Sequence, residues 1–162
     1  MLLFNFYKQE HLFAVIQMSE TDTEMNNAFK FGFLIGLLSG LWIMLMHYLG
    51  VYQTGKAGPT YIHWMEYLSV WIPFTGLYFG IKNYRKTHFK NKMSFFQAIM
   101  QGFKILLIGG FLYMATLSIY FRYTGSTVLK IDYMQRISAL GVMGILLVLV
   151  VSLLLMNSPR NL

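Results

Sequence analysis

The sequence contains no cysteine and few acidic residues. Its 162 residues include 13 Lys or Arg against 6 Asp or Glu, and charged residues make up 12% of the chain. The absence of cysteine excludes disulfides, thiolate nucleophiles and Cys-ligated metals. A soluble domain carries about 25% charged residues, and half that charge cannot cover a surface in contact with water. We therefore expect much of the surface to face lipid.

The sequence also lacks the common motifs of catalysis and nucleotide binding. It has no Walker loop, no dinucleotide-binding glycine fingerprint, no HExxH and no GxSxG. No pair of carboxylates lies within an apolar segment, where general acid–base catalysis would need it. We expect the protein not to be an enzyme and to bind neither a cofactor nor a metal. Because the cations behind its net charge of +7 lie between apolar stretches, we expect them to face a membrane surface and not nucleic acid.

Four stretches are long and apolar enough to cross a bilayer, which takes roughly 20 residues. They are residues 29–52, 61–81, 95–120 and 137–156. The sequence thus predicts an all-α fold, an integral membrane four-helix bundle of two helical hairpins. This bundle would occupy residues 29–156, between an N-terminal cytoplasmic segment, 1–28, and a short C-terminal tail, 157–162.

Two local signals refine the boundaries of these spans. Pro73 lies within the second span and is expected to kink it or to open its backbone hydrogen bonding. Ser94 and Gln97 have the spacing of a capping box, which predicts a helix start at the beginning of the third span.

A dense cluster of cations lies between the second and third spans. It consists of Lys82, Arg85, Lys86, Lys90 and Lys92. With four spans, this cluster and both termini lie on one side of the membrane, which then holds nine Lys or Arg against four on the other. Such an excess is typical of the cytoplasmic side. The cluster is either the topogenic anchor of the two hairpins or a site for anionic lipid headgroups.

The first 17 residues allow two interpretations. They are not typical of a signal peptide, because Lys8, Glu10 and His11 interrupt the apolar run and no cleavage site follows. One interpretation is an interfacial helix on the cytoplasmic leaflet. The other is that the native chain starts at Met18 and that residues 1–17 are not native.

Glycines occur in every predicted span at or near helical spacing. They predict close helix packing, which in lipid depends on small residues. The alternative is that they line a pore or admit a ligand. The positions are Gly32, Gly36, Gly40, Gly76, Gly80, Gly102, Gly110, Gly141 and Gly144.

The first and third spans resemble each other. Shifting the chain by 70 residues gives seven identities across seventeen positions, from Ala28 aligned with Ala98 to Met44 aligned with Met114. This pattern suggests a duplicated hairpin whose two copies share one orientation.

Few ionisable residues lie within the spans, and each calls for a functional hypothesis. His63 and Glu66 lie one turn apart near the end of the second span, and His47 lies near the same end of the first. These three either bind a metal or relay protons, or they are interfacial polar residues. Lys104 either extends towards the cytoplasmic headgroups or acts as a counter-ion for a substrate.

The centre of the chain resembles a known family. The residues that carry the resemblance are Ser94, Phe95, Gln97, Ala98 and Gly102, directly after the basic cluster and preceded by Gly80, Ile81 and Lys82. They are similar to an uncharacterised membrane-protein family of Bacteroidota, a domain of unknown function. The resemblance covers about residues 29–156. It implies a multi-pass protein of a bacterial inner membrane with four helices, and it implies no activity.

We therefore expect an accessory or structural membrane protein that acts through helix packing. Its partners would be the lipid bilayer, anionic lipids, and either further copies of itself or another membrane protein. The alternative is a small oligomeric transporter or channel.

Overall fold

The computed structural model describes residues 2–49, 64–89, 92–124 and 129–156, and within these ranges all regular structure is helical. The elements are α1 (Leu2–Tyr48), α2 (Trp64–Leu68), α3 (Trp71–Phe89), α4 (Phe95–Thr124) and α5 (Leu129–Leu155). Four of them are long, and α2 has five residues. The prediction of an all-α chain is confirmed for the described residues. The link between the first two spans, residues 50–63, and the C-terminal tail lie outside them.

The first helix is longer than the first predicted span. α1 continues for 47 residues without interruption, so no helix end marks residue 28, and the division into a cytoplasmic segment and a first span stays a prediction. The helix is unbroken because residues 2–31 contain neither glycine nor proline, the residues that most often end helices. At 1.5 Å per residue, α1 is about 70 Å long, more than twice the hydrocarbon thickness of a bilayer.

The second predicted span is divided just before Pro73. The ring of a proline clashes with the carbonyl four residues earlier, which here belongs to Ser69 in the turn between α2 and α3. Shorter-range hydrogen bonds hold this turn, from Val70 N to Tyr67 O at 3.2 Å and from Ile72 N to Ser69 O at 3.1 Å. The span is therefore broken into two helices, a stronger effect than a kink.

The start of α4 confirms the predicted capping box. The backbone N–H of Ser94 donates to Gln97 Oε1 at 3.0 Å, and the backbone N–H of Gln97 donates to Ser94 Oγ at 3.4 Å. Both bonds satisfy amides that have no partner within the helix. The helix then begins at Phe95, as the sequence predicts.

The four long helices form a bundle of alternating direction. α1 and α4 run in the same direction, because Gly32 meets Ile105 while Gly40 meets Thr116. α3 and α5 run in the opposite direction, and α3 and α4 each contact both α1 and α5. This arrangement agrees with two hairpins, α1–α3 and α4–α5, that share one orientation.

Glycines bring α1 and α4 into close contact. A Cβ atom added to Gly32 would lie 2.8 Å from Ile105 O, and one added to Gly36 would lie 2.7 Å from Gly109 O. An added Cβ on Gly40 would lie equally close to a side chain of α4. Any larger residue at these positions would push the helices apart. We call Gly32, Gly36 and Gly40 the glycine seam.

The other glycines predicted to pack divide into two groups. Four of them lie against neighbouring helices, where an added Cβ would come within 2.9 Å of a side chain: Gly76, Gly80, Gly102 and Gly144. For Gly110 and Gly141 an added Cβ would meet nothing within 4 Å, so among the described residues they make no close contact, and their role in packing stays a prediction. The helical register explains Gly110, since Gly109 lies four residues after Ile105 on the face that meets α1.

Two helical segments are long and apolar enough to cross a membrane. They are Asp22–Tyr48, with 27 residues, and Phe95–Tyr120, with 26 residues. The apolar part of α5 that the structure describes, Gly141–Leu155, is shorter, and the break before Pro73 shortens the second span. Length and composition thus support two of the four predicted spans, and the four-span topology stays a prediction.

Replacing Gly36 by alanine tests the glycine seam. The new methyl group would lie 2.7 Å from Gly109 O and from Leu112 Cβ, so α1 and α4 must separate. We expect a lower midpoint of thermal unfolding in detergent micelles and a loss of about 1–3 kcal/mol, as in overpacked cores.

Gly110→Ala is the matched control for this experiment. Its methyl group would enter open space, and alanine favours a helix over glycine by about 1 kcal/mol. We expect an unchanged or slightly raised midpoint. An equal loss in both variants, or no loss for Gly36→Ala, would contradict the close approach of the two helices.

Candidate functional site

Most of the polar side-chain contacts between the described helices form two groups at opposite ends of the bundle. One group joins α1, α3 and α4, and we call it the Glu24 network. Its members are Glu24, Asn27, Asn83, Tyr84, Gln101 and Lys104. The other group is a pair, His47 of α1 and Tyr120 of α4.

Glu24 is the centre of its network. Its Oε2 accepts a hydrogen bond from Lys104 Nζ at 2.9 Å, which is also an ion pair. Its Oε1 accepts a hydrogen bond from the Tyr84 hydroxyl. The carboxylate is 25% exposed and the lysine side chain 35%, so the pair is only partly shielded from solvent. One carboxylate thus ties α1 to both α3 and α4.

Amide side chains extend the network towards the core. Asn27 donates from Nδ2 to Gly80 O at 3.1 Å, and its Oδ1 accepts a hydrogen bond from Asn83 Nδ2 at 2.8 Å. Gln101 donates from Nε2 to Glu24 O at 3.4 Å. Asn27 and Gln101 are buried, and these bonds offset most of the cost of removing their amides from water. Gln101 Oε1 has no partner among the described residues.

The ion pair gives Lys104 a partner that the sequence analysis did not name. Its ammonium is paired with Glu24 within the chain, and its contact with headgroups or with a substrate stays a prediction. The sequence held a signal for this pairing. Glu24 and Ala28 continue the four-residue spacing of the glycine seam by two turns, so they lie on the face of α1 that meets α4.

His47 is held by the neighbouring helix. Its Nδ1 is hydrogen-bonded to the hydroxyl of Tyr120, and the two rings meet edge to face with centroids 5.4 Å apart. Among the predicted partners of His47, His63 lies outside the described residues, and Glu66 lies in α2 with a side chain that is not described. Within the described part of the chain, no three His, Asp or Glu side chains are close enough to hold a metal.

The middle of the described helices, between the two polar groups, contains no charged side chain. The described segments 31–46, 72–81, 105–119 and 141–156 contain no Asp, Glu, Lys, Arg or His. From Glu24 to His47 the helix rises by 23 residues, or about 35 Å. The charge-free part of α1, residues 31–46, is shorter, about 24 Å, and it lies between a polar layer at each end.

The basic cluster lies at the end of the bundle that holds the Glu24 network. Lys82 Nζ lies 5.2 Å from the centroid of the Tyr78 ring. Arg85 Nη1 donates to Leu155 O at 2.9 Å. Lys86 and Lys92 are exposed, whereas Lys90 lies outside the described residues.

A comparison with known proteins places most of the chain in one family. Residues 30–140 match the model described as Protein of unknown function (DUF4199). No curated protein and no solved structure matches the chain. The match confirms the resemblance as far as a domain of unknown function is concerned, and it ends before the apolar part of α5.

Neutralising Glu24 tests the centre of the network. We expect Glu24→Gln to lower the unfolding midpoint in detergent, because Lys104 loses its counter-charge. The double variant Glu24→Gln/Lys104→Met should recover part of this loss. The coupling energy of the pair should be on the order of 1 kcal/mol, as for partly exposed ion pairs.

Asp22→Asn is the control, because it removes an exposed carboxylate two residues before Glu24, about half a helical turn away. We expect no change in its unfolding midpoint. If Asp22→Asn is as harmful as Glu24→Gln, or if the double variant only adds the two single losses, the ion pair does not hold α1 to α4.

Proposed function

We propose that this chain, which belongs to the DUF4199 family of proteins of unknown function, is an accessory or structural protein of a bacterial inner membrane. It crosses the membrane four times, with both termini in the cytoplasm. It acts through helix packing with further copies of itself or with another membrane protein, and the proposal includes no enzymatic reaction.

The outward faces of the described helices support a location in lipid. Large apolar side chains are exposed on each long helix, among them Phe29, Phe79, Phe111 and Leu154. Phe111 is 74% exposed. Soluble monomers rarely expose continuous apolar surface of this kind, whereas lipid tails or another apolar helix would cover it at no cost.

The spacing of the polar layers supports the same location. Along the helices, Glu24 and His47 lie about 35 Å apart, and Lys104 and Tyr120 about 24 Å apart, which brackets the thickness of about 30 Å of the hydrocarbon core of a bilayer. Both polar groups would then lie near the headgroups, where charged side chains cost little.

The charge-free interior is the observation that favours packing over transport. The glycine seam closes the space between α1 and α4, and the middle of the described helices has no ionisable Asp, Glu, Lys, Arg or His. Transport pathways for ions and polar solutes are typically marked by such residues. Lys104, expected to serve a pathway in the alternative, is paired with Glu24.

The absence of native cysteine allows a direct test of orientation. In Lys92→Cys and Tyr123→Cys the single thiol replaces an exposed residue at either end of α4, Tyr123 being 88% exposed. In intact cells, we expect a membrane-impermeant maleimide to label the variant at position 123 and not the one at position 92. Permeabilised cells are the control, in which both variants should be labelled. Labelling of position 92 alone in intact cells would mean that the orientation is the reverse of the proposed one. Labelling of both positions would contradict the membrane span between them.

Cysteine cross-linking tests the packing role. Single cysteines at Phe29, Phe79, Phe111 and Leu154 sample the outward faces of α1, α3, α4 and α5. We expect at least one face to give a cross-linked species, with a second copy or with another membrane protein, and affinity purification in mild detergent to recover the same species in fixed stoichiometry. Leu117→Cys is the control, because Leu117 is 2% exposed and should not cross-link.

A monomer without cross-links on any of these faces would contradict the packing role. The transporter alternative has a separate measurement. If proteoliposomes that contain the protein release ions or small solutes faster than empty liposomes, the alternative replaces the proposal.

A further inference from the structure

We propose that the junction where the ends of α3 and α5 meet binds the headgroup of an anionic phospholipid. The site, which we call the α3–α5 cation site, consists of Tyr78, Lys82, Arg85 and the terminal carbonyl of α5 at Leu155. It goes beyond a role in packing, because it gives the protein a specific lipid ligand.

Arg85 is fixed in position at this junction. Its Nη1 donates to Leu155 O at 2.9 Å, at the carboxyl end of α5, where the backbone carbonyls have no partner within the helix. A guanidinium carries five N–H donors in a planar fork, and this carbonyl is its only hydrogen-bond acceptor among the described residues. The charge is therefore oriented, and no carboxylate among the described residues neutralises it.

Lys82 lies on the same side of α3 as Arg85. Tyr78, Lys82 and Arg85 are four and three residues apart, so they follow one stripe of the helix. Lys82 Nζ lies 5.2 Å from the centroid of the Tyr78 ring, which holds the ammonium beside the helix through a cation–π contact. The stripe thus presents two cations and a phenol hydroxyl.

The chain offers these cations no acid among its described residues. The two acidic side chains that the structure describes are Asp22 and Glu24, and both belong to α1. Glu24 is committed to Lys104 and Tyr84. A pair of cations without an acidic partner among the described residues, one of them an arginine fork, matches the oxygens of a phosphate group.

The surroundings of the site indicate that this phosphate belongs to a lipid. The site lies at the end of apolar helices, and the outward face of α5 next to it carries exposed Val150 and Leu154. An acyl chain can lie along that face while its headgroup reaches the cations. A free phosphate ion would gain nothing from these apolar side chains.

The alternative is that Arg85 only caps the end of α5, as basic side chains often do at the carboxyl end of a helix. Lys82 separates the two interpretations, because it makes no hydrogen bond to another described helix. Its loss should weaken lipid binding without a loss of the fold.

The experiment measures lipid retention by native mass spectrometry of the protein in detergent. Phosphatidylglycerol and phosphatidylcholine of equal chain length are added in graded amounts to the wild type, Lys82→Gln, Arg85→Lys and Lys30→Gln. Lys30→Gln is the matched control, because it removes one exposed cation from α1, a helix that contributes no residue to the α3–α5 cation site.

We expect the wild type to retain phosphatidylglycerol in preference to phosphatidylcholine. Lys82→Gln should lower the affinity for phosphatidylglycerol about fivefold, the effect of one cation at a membrane surface, while Lys30→Gln leaves it unchanged. Arg85→Lys keeps the charge but loses the planar fork, and it should also weaken binding. The unfolding midpoint of Lys82→Gln without added lipid should equal that of the wild type.

Three results would overturn the proposal. Equal losses for Lys82→Gln and Lys30→Gln would mean a diffuse attraction with no site. Equal retention of both lipids would mean that the headgroup charge is not recognised. Displacement of the lipid by inorganic phosphate at the same concentration would assign the site to a soluble phosphate.

Discussion

The close approach of α1 to α4 is the constraint on which the rest of the bundle depends. In lipid, apolar side chains gain little by leaving the solvent, so helices associate where their backbones can come close together. The glycine seam provides this contact. Once it is made, the register of the two parallel helices is fixed, and that register brings Glu24 opposite Lys104 at one end and His47 opposite Tyr120 at the other.

Charge is scarce in this chain, and at one end of the bundle it has different roles on the two sides of α3. On one side, a single carboxylate neutralises Lys104 and joins three helices. On the far side of α3, Lys82 and Arg85 have no acid of their own among the described residues. The first arrangement holds the bundle together, whereas the second leaves positive charge available to the surroundings.

The sequence predicts the helical class, the start of α4 and the contacts of seven glycines, because capping and small-residue spacing are local patterns. Prediction from the sequence fails where the relative position of two helices distant in the chain determines a contact. Gly110 differs from Gly109 by one residue, and only the position of α1 determines which of them is in contact. The ion pair of Glu24 was missed because an acidic stretch before an apolar span is usually solvent-exposed. The opening of the backbone hydrogen bonding at Pro73 was one of the two outcomes expected from the sequence, because the proline alone does not determine whether the neighbouring turn kinks or opens.

The unbroken course of α1 has a mechanical consequence. A helix without glycine or proline before residue 32 has no residue that favours bending. A force on its first twenty residues is therefore transmitted to the glycine seam. The helix cannot turn there, because a rotation by one residue would place Phe33 or Leu37 against the backbone of α4 in place of a glycine. Anything that grips the amino-terminal end can therefore tilt or pull the whole bundle, but it cannot twist one helix free of the others.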